Sequence, residues 1–376
     1  MTAPLLVLAA GGTGGHMFPA QALAEAMLAR GWRVRLSTDA RGARYAGGFP
    51  MQVERQVTAA GTPGQGSLIS RAAAPFAIAA GTIAQIAAMR RDPPACVAGF
   101  GGYPALPAMA AAVLLRRPRL IHEQNGVLGQ VNRLLARRVD VLACGTWPTE
   151  TPAGAQTVHA GNPVRAAVRQ LAGTPYSPPA DGPLRLLVIG GSQGAALFAR
   201  TVPAALALLP PEVLSRLEVA QQVRPEDMAR VTDAYAELGI TAELRAFFED
   251  VPERLAAATL VVSRAGASSI ADITAIGRPA ILIPYAAATA DHQAANARGL
   301  AEAGGGFMIR EAELTPEGLA GTIAAILTDP EGATAMAEAS RDLGRPDAVE
   351  ELASLIEHLA RRRTSLPPAA QKGPKT

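Results

Sequence analysis

Residues 5–16 read LLVLAAGGTGGH, a short apolar run that ends in a cluster of glycines. Residues 186–195, LLVIGGSQGA, repeat this pattern about half a chain length later. Each apolar run has the length of a buried parallel strand, and a helix-like stretch follows each glycine cluster. Glycines at such a turn let the backbone approach a ligand, and amide groups at a helix N-terminus favour an anion. The two units predict two α/β domains that face each other across a cleft and bind phosphate-bearing molecules.

The length and the cysteine content narrow the class of protein. At 376 residues the chain is longer than one typical core, which favours two domains. Cys96 and Cys144 cannot form a disulfide framework and lack the spacing of metal ligands, so a reducing compartment fits. The first apolar run stops at glycine and has no basic segment before it, so we interpret it as a strand and not as a signal peptide. No window reaches the roughly 18 uninterrupted apolar residues of a membrane span.

Charge is distributed unevenly along the chain. Residues 1–163 contain 15 arginines, no lysine and 7 acidic residues, a net charge of +8, whereas the remainder carries −5. Two interpretations explain this asymmetry equally well. One is an arginine-rich composition without functional importance, and the other is an anionic surface or substrate that lies against the first half.

Strand-like runs alternate with helix-length stretches, which predicts βαβ repeats with parallel sheets. We expect a first domain over residues 1–163 and a second over 164–347, with a proline- and glycine-rich hinge from Gly173 to Pro183. The last helix covers about residues 348–362, and residues 363–376 read as a disordered tail. Further strands are expected at Arg33–Ser37, Cys96–Gly99, Leu120–His122, Val139–Cys144, Leu260–Ser263 and Ala280–Pro284.

The first glycine loop is not a dinucleotide fingerprint, because Met17 occupies the place of the third glycine, and it lacks the lysine of a P-loop. Asp39 is therefore a weak candidate for the ribose-binding acid of a nicotinamide enzyme. His16 follows the loop at the start of the next helix. It is either a capping or packing residue or a base that works near neutral pH.

Polar side chains follow a buried strand again at residues 122–125, HEQN, and residues 99–103, GFGGY, repeat the strand-then-glycine pattern. At the carboxyl end of a parallel strand such a cluster more often lines a site than fills a core, although an ordinary polar loop is the alternative.

In the second half, residues 263–269, SRAGASS, join a strand to a helix whose N-terminus suits a diphosphate. Asp272, one turn in, either accepts hydrogen bonds from ribose hydroxyls or interacts with the helix dipole. Residues 291–293, DHQ, and Asn296 add polar groups after the following strand. Because there is no D-x-D carboxylate pair to hold a metal, we expect arginine and helix dipoles to neutralise a leaving diphosphate.

Seven motifs, taken in their order along the chain, resemble those of the bacterial MurG family. Members of this family transfer N-acetylglucosamine (GlcNAc) from UDP-GlcNAc to lipid I to form lipid II. The resemblance runs from residue 5 to about residue 360. It implies a GT-B glycosyltransferase fold, two Rossmann-like domains whose parallel sheets face a central cleft, with the last helix crossing back to the first domain. It also implies an inverting transfer without a cofactor. The motifs are GGTGGH at 11–16, GFGGY at 99–103, HEQNG at 122–126, GNPVR at 161–165, GGSQG at 190–194, RAGA at 264–267 and DHQ at 291–293.

The resemblance also implies roles for individual residues. The loops that meet the acceptor are expected to include Gly11, Gly12, Gly101, Gly102 and Tyr103. At the position of Phe248 the family binds uracil through main-chain atoms. At the position of Asp272 the family usually has glutamate, which is one methylene longer. The residues expected to bind the donor are Thr13, Gly14, Gly15, Asn125, Arg165, Ser192, Phe248, Ala267, Ser268, Asp272 and Gln293.

The implied reaction is a single displacement at the anomeric carbon of GlcNAc by the 4-hydroxyl of the lipid-linked MurNAc. A base must take the hydroxyl proton, and we expect it to be His16, with Glu123 as its competitor or orienting partner.

The lipid-linked acceptor implies contact with a membrane, at the cytoplasmic face of the inner membrane. In the stretch Leu68–Arg91, the apolar residues Ile69, Phe76 and Ile83 recur every seven residues, and Ile86 and Met89 are expected to extend this side. Arginines nearby suit anionic lipid head groups, although a core helix beside a strand is the alternative. A cell-wall synthesis complex is a further expected partner, and nucleic acid is not.

Three other functions remain open from the sequence. One is another GT-B enzyme with a lipid acceptor, such as a diacylglycerol or lipid A disaccharide glycosyltransferase. The others are a nicotinamide-dependent oxidoreductase and a nucleotide-sugar binder without catalytic activity.

Overall fold

The computed structural model describes residues 3–12, 14–61, 68–190 and 195–364, which form two α/β domains. The strands are β1 (Leu5–Ala9), β2 (Arg33–Thr38), β3 (Glu54–Val57), β4 (Cys96–Gly99), β5 (Arg119–Glu123), β6 (Val141–Cys144), β7 (Thr157–His159), β8 (Leu184–Ile189), β9 (Leu217–Gln222), β10 (Thr241–Arg245), β11 (Leu260–Ser263), β12 (Ala280–Leu282) and β13 (Gly306–Met308). The first sheet has the order β3-β2-β1-β4-β5-β6-β7 and the second β10-β9-β8-β11-β12-β13. Every neighbouring pair of these strands runs parallel.

Helices cover both sheets. They are α1 (Gly14–Ala29), α2 (Leu68–Arg91), α3 (Leu106–Leu114), α4 (Gln130–Leu135), α5 (Ala166–Gln170), α6 (Ala195–Leu206), α7 (Pro211–Leu214), α8 (Met228–Glu237), α9 (Val251–Ala257), α10 (Ala267–Ile276), α11 (His292–Glu302), α12 (Pro316–Leu327), α13 (Pro330–Leu343) and α14 (Ala348–Thr364). The predicted fold class, two domains with parallel sheets, is confirmed.

Strand β1 is buried on both faces, as its continuous apolar sequence predicts. Leu6 and Leu8 pack on one side of the sheet and Leu5 and Val7 on the other, because successive side chains of a strand alternate. The core on the first side includes Ile356 of α14. The last helix of the chain therefore packs against the first domain.

The strands Cys96–Gly99 and Leu260–Ser263 begin and end where the sequence predicts. β6 begins at Val141 and not at Val139, because the Asp140 side chain accepts a hydrogen bond from the backbone of Arg119. β12 ends at Leu282, where its pairing with β13 ends.

The chain crosses between the domains at Gly161–Val164. The carbonyl of Gly161 accepts a hydrogen bond from His122, and Asn162 donates to the carbonyl of Gln124, so both residues belong with the first domain. Val164 already packs in a core of the second domain.

The stretch in which the sequence predicts the hinge, Gly173–Pro183, is bonded to the second domain. Buried Arg278 donates to the carbonyl of Thr174 at 3.0 Å, and the hydroxyl of Tyr176 donates to the carbonyl of Thr259 at 2.9 Å. These contacts hold the stretch to the second domain, so it lies after the point at Gly161–Val164 where the chain crosses between the domains.

Helix α2 has two different apolar faces. Gln85 is buried and donates to the hydroxyls of Ser37 and Thr58, and Met89 is fully buried in the core of the first domain. The prediction that Met89 extends the side of the helix that bears Phe76 and Ile83 is therefore wrong. Met89 lies six positions after Ile83, which turns its side chain by about 240° around the helix. Ile86 is half-buried and packs on the same core.

Candidate active site between the domains

The two sheets present the carboxyl ends of their strands to one cleft. In each sheet the strand order reverses at one point, between β1 and β4 in the first domain and between β8 and β11 in the second. Ligands of open parallel sheets bind at such points. The loop after β5 reaches the second domain at Gly126, where a Cβ atom would lie 2.8 Å from the carbonyl oxygen of Ala295 in α11.

His16 lies at the first domain's side of the cleft, beneath the glycine loop that follows β4. Gly101 and Gly102 adopt φ angles of 90° and 73°, which favour glycine. A Cβ atom on Gly102 would lie 3.3 Å from Nδ1 of His16, and one on Gly101 would lie 3.4 Å from Nε2. Larger residues would therefore displace either the loop or the imidazole.

The hydrogen bond of His16 determines which of its nitrogens is basic. Nδ1 lies 3.1 Å from the carbonyl oxygen of Gly11. Because a carbonyl only accepts, Nδ1 carries the proton in the neutral ring, and Nε2 has the lone pair. Burial lowers the pKa of His16 below its ordinary value of 6.5, although the hydrogen bond to Gly11 and the charge of Glu123 partly oppose this effect.

Glu123 is buried, and four donors engage its two carboxylate oxygens. Oε1 accepts from the backbone of Asn125 at 3.1 Å and from its side chain at 3.3 Å. Oε2 accepts from the backbone of Gly129 at 2.8 Å and from the side chain of Asn132 at 2.9 Å. These four bonds hold the carboxylate in place. This geometry fits an orienting role for Glu123 better than that of a base.

His122 and Gln124 do not line the cleft, contrary to the interpretation of the whole HEQN cluster as site-lining. His122 is fully buried; its Nε2 donates to the carbonyl of Gly161 at 2.9 Å, and its Nδ1 accepts from Gln124 at 3.1 Å. Burial lowers the pKa of His122 to about 4, so its ring is neutral. The pair holds the end of β5 to the point where the chain leaves the domain. Only Asn125 of this cluster is half-exposed.

On the second domain's side, the loop after β11 leads into the N-terminus of α10. Gly266 is the extended residue before this helix, Ala267 is half-buried and Ser268 is exposed. Oε1 of Gln293 accepts from the backbone amides of Ala265 at 3.1 Å and of Tyr285 at 3.0 Å. Gln293 thus joins the two loops that follow β11 and β12.

Arg165 and Asp272 lie side by side, with Nη2 of the arginine 3.4 Å from Oδ2 of the aspartate. Burial raises the pKa of Asp272 to about 6, and the nearby Arg165 opposes the rise. An aspartate with this pKa changes its charge within the range of pH in which enzymes are assayed.

The remaining predicted site residues are distributed around these groups. The ring of Phe248 is 2% exposed and lies under the guanidinium of Arg254, so only its backbone can meet a ligand. The hydroxyl of Tyr103 donates to Gln130 at 2.7 Å. Gly11 packs on Pro104, Gly12 has a φ of 88°, and Gly14 and Gly15 form the start of α1. Thr13, Ser192 and the side chain of Ile69 lie outside the described residues.

The contacts of Asp39 differ from those expected of an acidic residue that binds ribose. Its carboxylate accepts from the backbone of Gly42 at 2.8 Å and from Arg41 at 3.1 Å, which closes the loop after β2. Within the described ranges, no group of three or more His, Cys, Asp and Glu side chains is arranged to hold a metal ion.

Comparison with known proteins identifies the family. Residues 6–143 match the glycosyltransferase family 28 N-terminal domain, and residues 185–352 match the glycosyltransferase family 28 C-terminal domain. A protein of Mesorhizobium japonicum named UDP-N-acetylglucosamine--N-acetylmuramyl-(pentapeptide) pyrophosphoryl-undecaprenol N-acetylglucosamine transferase is 47% identical over 366 residues, which cover 97% of each chain. The chain belongs to the MurG family.

Two further members of the MurG family support this assignment. A relative of the same name from Rhodopseudomonas palustris is 48% identical over 369 residues, 95% of this chain and 99% of the relative. The crystal structure of MurG from Acinetobacter baumannii is 30% identical and superposes with a TM-score of 0.79, over 95% of this chain and 99% of that one. The GT-B fold and the membership in a family of GlcNAc transferases that the sequence predicts are thereby confirmed.

Two side chains of the cleft carry no role in the sequence prediction. Asn132 holds Glu123 and lies beside Gly101, where a Cβ atom would be 3.2 Å from its Nδ2. Asn296 follows DHQ, and the sequence indicates only that it is one more polar group. Its position one turn after Gln293 on α11 was the available signal.

Proposed function

We propose that the protein transfers GlcNAc from UDP-GlcNAc to the 4-hydroxyl of MurNAc-pentapeptide on undecaprenyl diphosphate, the step from lipid I to lipid II in peptidoglycan synthesis. The observation that carries the proposal is the match to relatives named for this reaction over nearly the whole of both chains. The two domains support it, because the first has a histidine under a glycine loop and the second has a helix N-terminus with an Arg–Asp pair.

The reaction is a single displacement. The acceptor oxygen bonds to the anomeric carbon of GlcNAc as the bond from that carbon to the diphosphate breaks, and the configuration inverts. His16 takes the hydroxyl proton at Nε2, the nitrogen that the bond to Gly11 leaves basic. Arg165 and the N-terminus of α10 stabilise the negative charge that develops on the departing UDP. Glu123 fixes Asn125 and Asn132 around the reacting groups.

The pH dependence of donor affinity follows from Asp272. We expect the affinity for UDP-GlcNAc to fall as the pH drops through about 6, because the carboxylate that accepts the ribose hydroxyls becomes protonated. Titration calorimetry with UDP-GlcNAc between pH 5 and pH 8 measures this. In Asp272→Asn the affinity is expected to be lower and independent of pH over this range. A pH dependence that persists in Asp272→Asn would assign the titration to another group.

The first domain also provides a surface for the membrane. Phe76 is 78% exposed and Ile83 is 68% exposed on α2, and Arg90 and Arg91 are exposed at its end. Ala73–Arg91 has the length and hydropathy of a possible membrane span, but Gln85 and Met89 pack this helix into the domain. We assign the helix to the surface of an anionic membrane, with the aromatic and aliphatic side chains among the lipids and the arginines at the head groups.

Phe76→Ser together with Ile83→Ser is expected to lower binding to vesicles that contain anionic lipid, because two large apolar side chains no longer enter the bilayer. Transfer to a short-chain acceptor in solution should stay within about twofold. The measurement is co-sedimentation with vesicles, beside an activity assay. Phe307→Ser, at an exposed position in the second domain, is the matched control and should leave vesicle binding unchanged. Equal losses on vesicles and in the solution assay would indicate that the two side chains act in folding.

The experiment that tests the proposed function offers labelled UDP-GlcNAc, UDP-glucose and UDP-GalNAc, each with a short-chain analogue of lipid I. Transfer from UDP-GlcNAc is expected to be far faster than from the other two donors. Binding of UDP-GlcNAc without transfer would indicate that the protein is a nucleotide-sugar binder without catalytic activity. Transfer only to a lipid without MurNAc would favour another lipid glycosyltransferase.

A further inference from the structure

Asn296 is a buried polar residue at the contact between the two domains. It lies on α11, three residues after Gln293, and is 1% exposed. It lines an interdomain cavity that also includes Ala267 of α10 and Asn162 at the domain crossing. A buried carboxamide is costly unless its donors and acceptors are bonded, and Asn296 is bonded to both domains.

Three hydrogen bonds engage the Asn296 carboxamide. Its Oδ1 accepts from the backbone amide of Gly126 at 2.7 Å. Its Nδ2 donates to the side-chain oxygen of Asn125 at 3.2 Å and to the carbonyl of Ala265 at 3.1 Å. Asn125 and Gly126 belong to the loop after β5 in the first domain, whereas Ala265 precedes the helix that faces the donor in the second. One side chain therefore connects the two loops.

Backbone groups determine the orientation of this network. The amide of Gly126 can only donate and the carbonyl of Ala265 can only accept, so the oxygen and nitrogen of Asn296 are assigned without ambiguity. The Nδ2 group of Asn296 must then meet the oxygen of Asn125. This turns Nδ2 of Asn125 toward the carboxylate of Glu123, to which it donates at 3.3 Å.

The consequence for Asn125 is a fixed carboxamide. After its bonds to Asn296 and Glu123, Asn125 keeps one N–H of its amide for a ligand in the cleft. A sugar group that it meets with this hydrogen must be an acceptor, such as a hydroxyl or acetamido oxygen. Rotation of the Asn125 carboxamide would place its oxygen against the carboxylate oxygen of Glu123. This arrangement is unfavourable, because both oxygens are hydrogen-bond acceptors and repel each other.

We infer that Asn296 is a positioning residue, which aligns Asn125 of the first domain with the donor loop of the second and so supports recognition of the transferred sugar. The inference rests on the proposed function, since it deepens the role of the same cleft. Gly126 permits the contact, because any side chain there would meet the backbone of Ala295. Gln293 holds the amide of Ala265 while Asn296 holds its carbonyl, so α11 fixes this residue from both ends.

The test compares the binding of UDP-GlcNAc with that of UDP, by calorimetry on the full chain. UDP lacks the sugar, so a residue that acts through Asn125 affects only the first ligand. Asn296→Ala is expected to weaken UDP-GlcNAc binding about tenfold and UDP binding less than twofold. In the Asn125→Ala background the same substitution should add less than twofold, because the group through which it acts is gone.

The matched control is Arg298→Ala. Arg298 lies on the same helix and also contacts the first domain, through an exposed ion pair with Glu150 at 3.6 Å. We expect no change in either affinity, since this pair does not involve Asn125. If Asn296→Ala does not fold, Asn296→Ser provides the same comparison without introducing a buried charge. Its single hydroxyl can donate at most one of the two bonds that the carboxamide donates.

Equal losses for UDP and UDP-GlcNAc, or full additivity with Asn125→Ala, would overturn the positioning role. If the unmodified chain bound neither ligand, the proposed function and this inference would both fail. The inference alone would be overturned if the unmodified chain bound both ligands and both Asn296 variants kept its ratio of UDP-GlcNAc affinity to UDP affinity.

Discussion

Replacing His16 by alanine is expected to lower the rate of GlcNAc transfer by about 10²–10⁴-fold, with UDP-GlcNAc affinity changed less than about threefold. The reason is the geometry of the ring, whose Nδ1 proton points to the carbonyl of Gly11 and whose basic Nε2 lies by the glycine loop of Gly101. A base that acts only as the acceptor attacks contributes to kcat and not to donor binding. Single-turnover assays beside calorimetry separate the two effects.

The pH profile gives this prediction a second readout. Because burial lowers the pKa of His16 below 6.5, the ring is neutral at pH 7, and kcat should fall only on the acid side. This acid limb should disappear in His16→Ala, and added imidazole should restore part of the rate. His358→Ala, an exposed histidine on α14, serves as the control and should behave as the unmodified protein. Turnover of His16→Ala within a few-fold of normal would transfer the role of base to another group.

Removing the Arg165 side chain is expected to weaken the binding of both UDP and UDP-GlcNAc about 10- to 100-fold, the range of a lost hydrogen bond to a charged group. Arg165 is exposed at the start of α5, and its Nη2 lies 3.4 Å from Oδ2 of Asp272 in α10. The diphosphate is common to both ligands, so the two affinities should fall together, in contrast to the pattern expected for Asn296.

The arginine also influences the charge of its neighbour. Arg165 lowers the pKa of Asp272 against the effect of burial, so in Arg165→Ala the loss of affinity on acidification should begin above pH 6. Arg169→Ala is a matched control, because this residue lies one turn on and faces Glu350 of the last helix at 3.9 Å. Unchanged nucleotide affinity together with an unchanged pH midpoint in Arg165→Ala would remove the arginine from the donor site.

The sequence predicts the sheets well because their strands are marked locally. The run Cys96–Gly99 is short and apolar and ends at a glycine turn, and Leu260–Ser263 ends at an equally clear turn. Signals of this kind lie within a few residues of each other, so they do not depend on how the domains pack. The spacing of Phe76 and Ile83 predicts that they share one helix face. That this face is exposed is decided by the packing of α2 on the domain and is seen only in the structure.

The candidate site is less predictable, because tertiary contacts decide which polar groups reach the cleft. His122 and Asn125 stand three residues apart in one motif, yet the first is buried against Gly161 and the second is half-exposed. The position of Gly161 relative to β5 is a property of the folded chain. Asn296 acquires its contacts only when α11 meets the loop at Gly126, an event that no local pattern encodes.

The central claim is a single displacement that joins two substrates across the cleft. The most direct test is NMR analysis of the sugar linkage in the product formed from UDP-GlcNAc and a short-chain lipid I analogue, with EDTA present. The predicted product carries GlcNAc in β1→4 linkage to MurNAc, inverted from the α configuration of the donor. An α linkage, or attachment at another hydroxyl, would contradict the displacement by a 4-hydroxyl that His16 deprotonates.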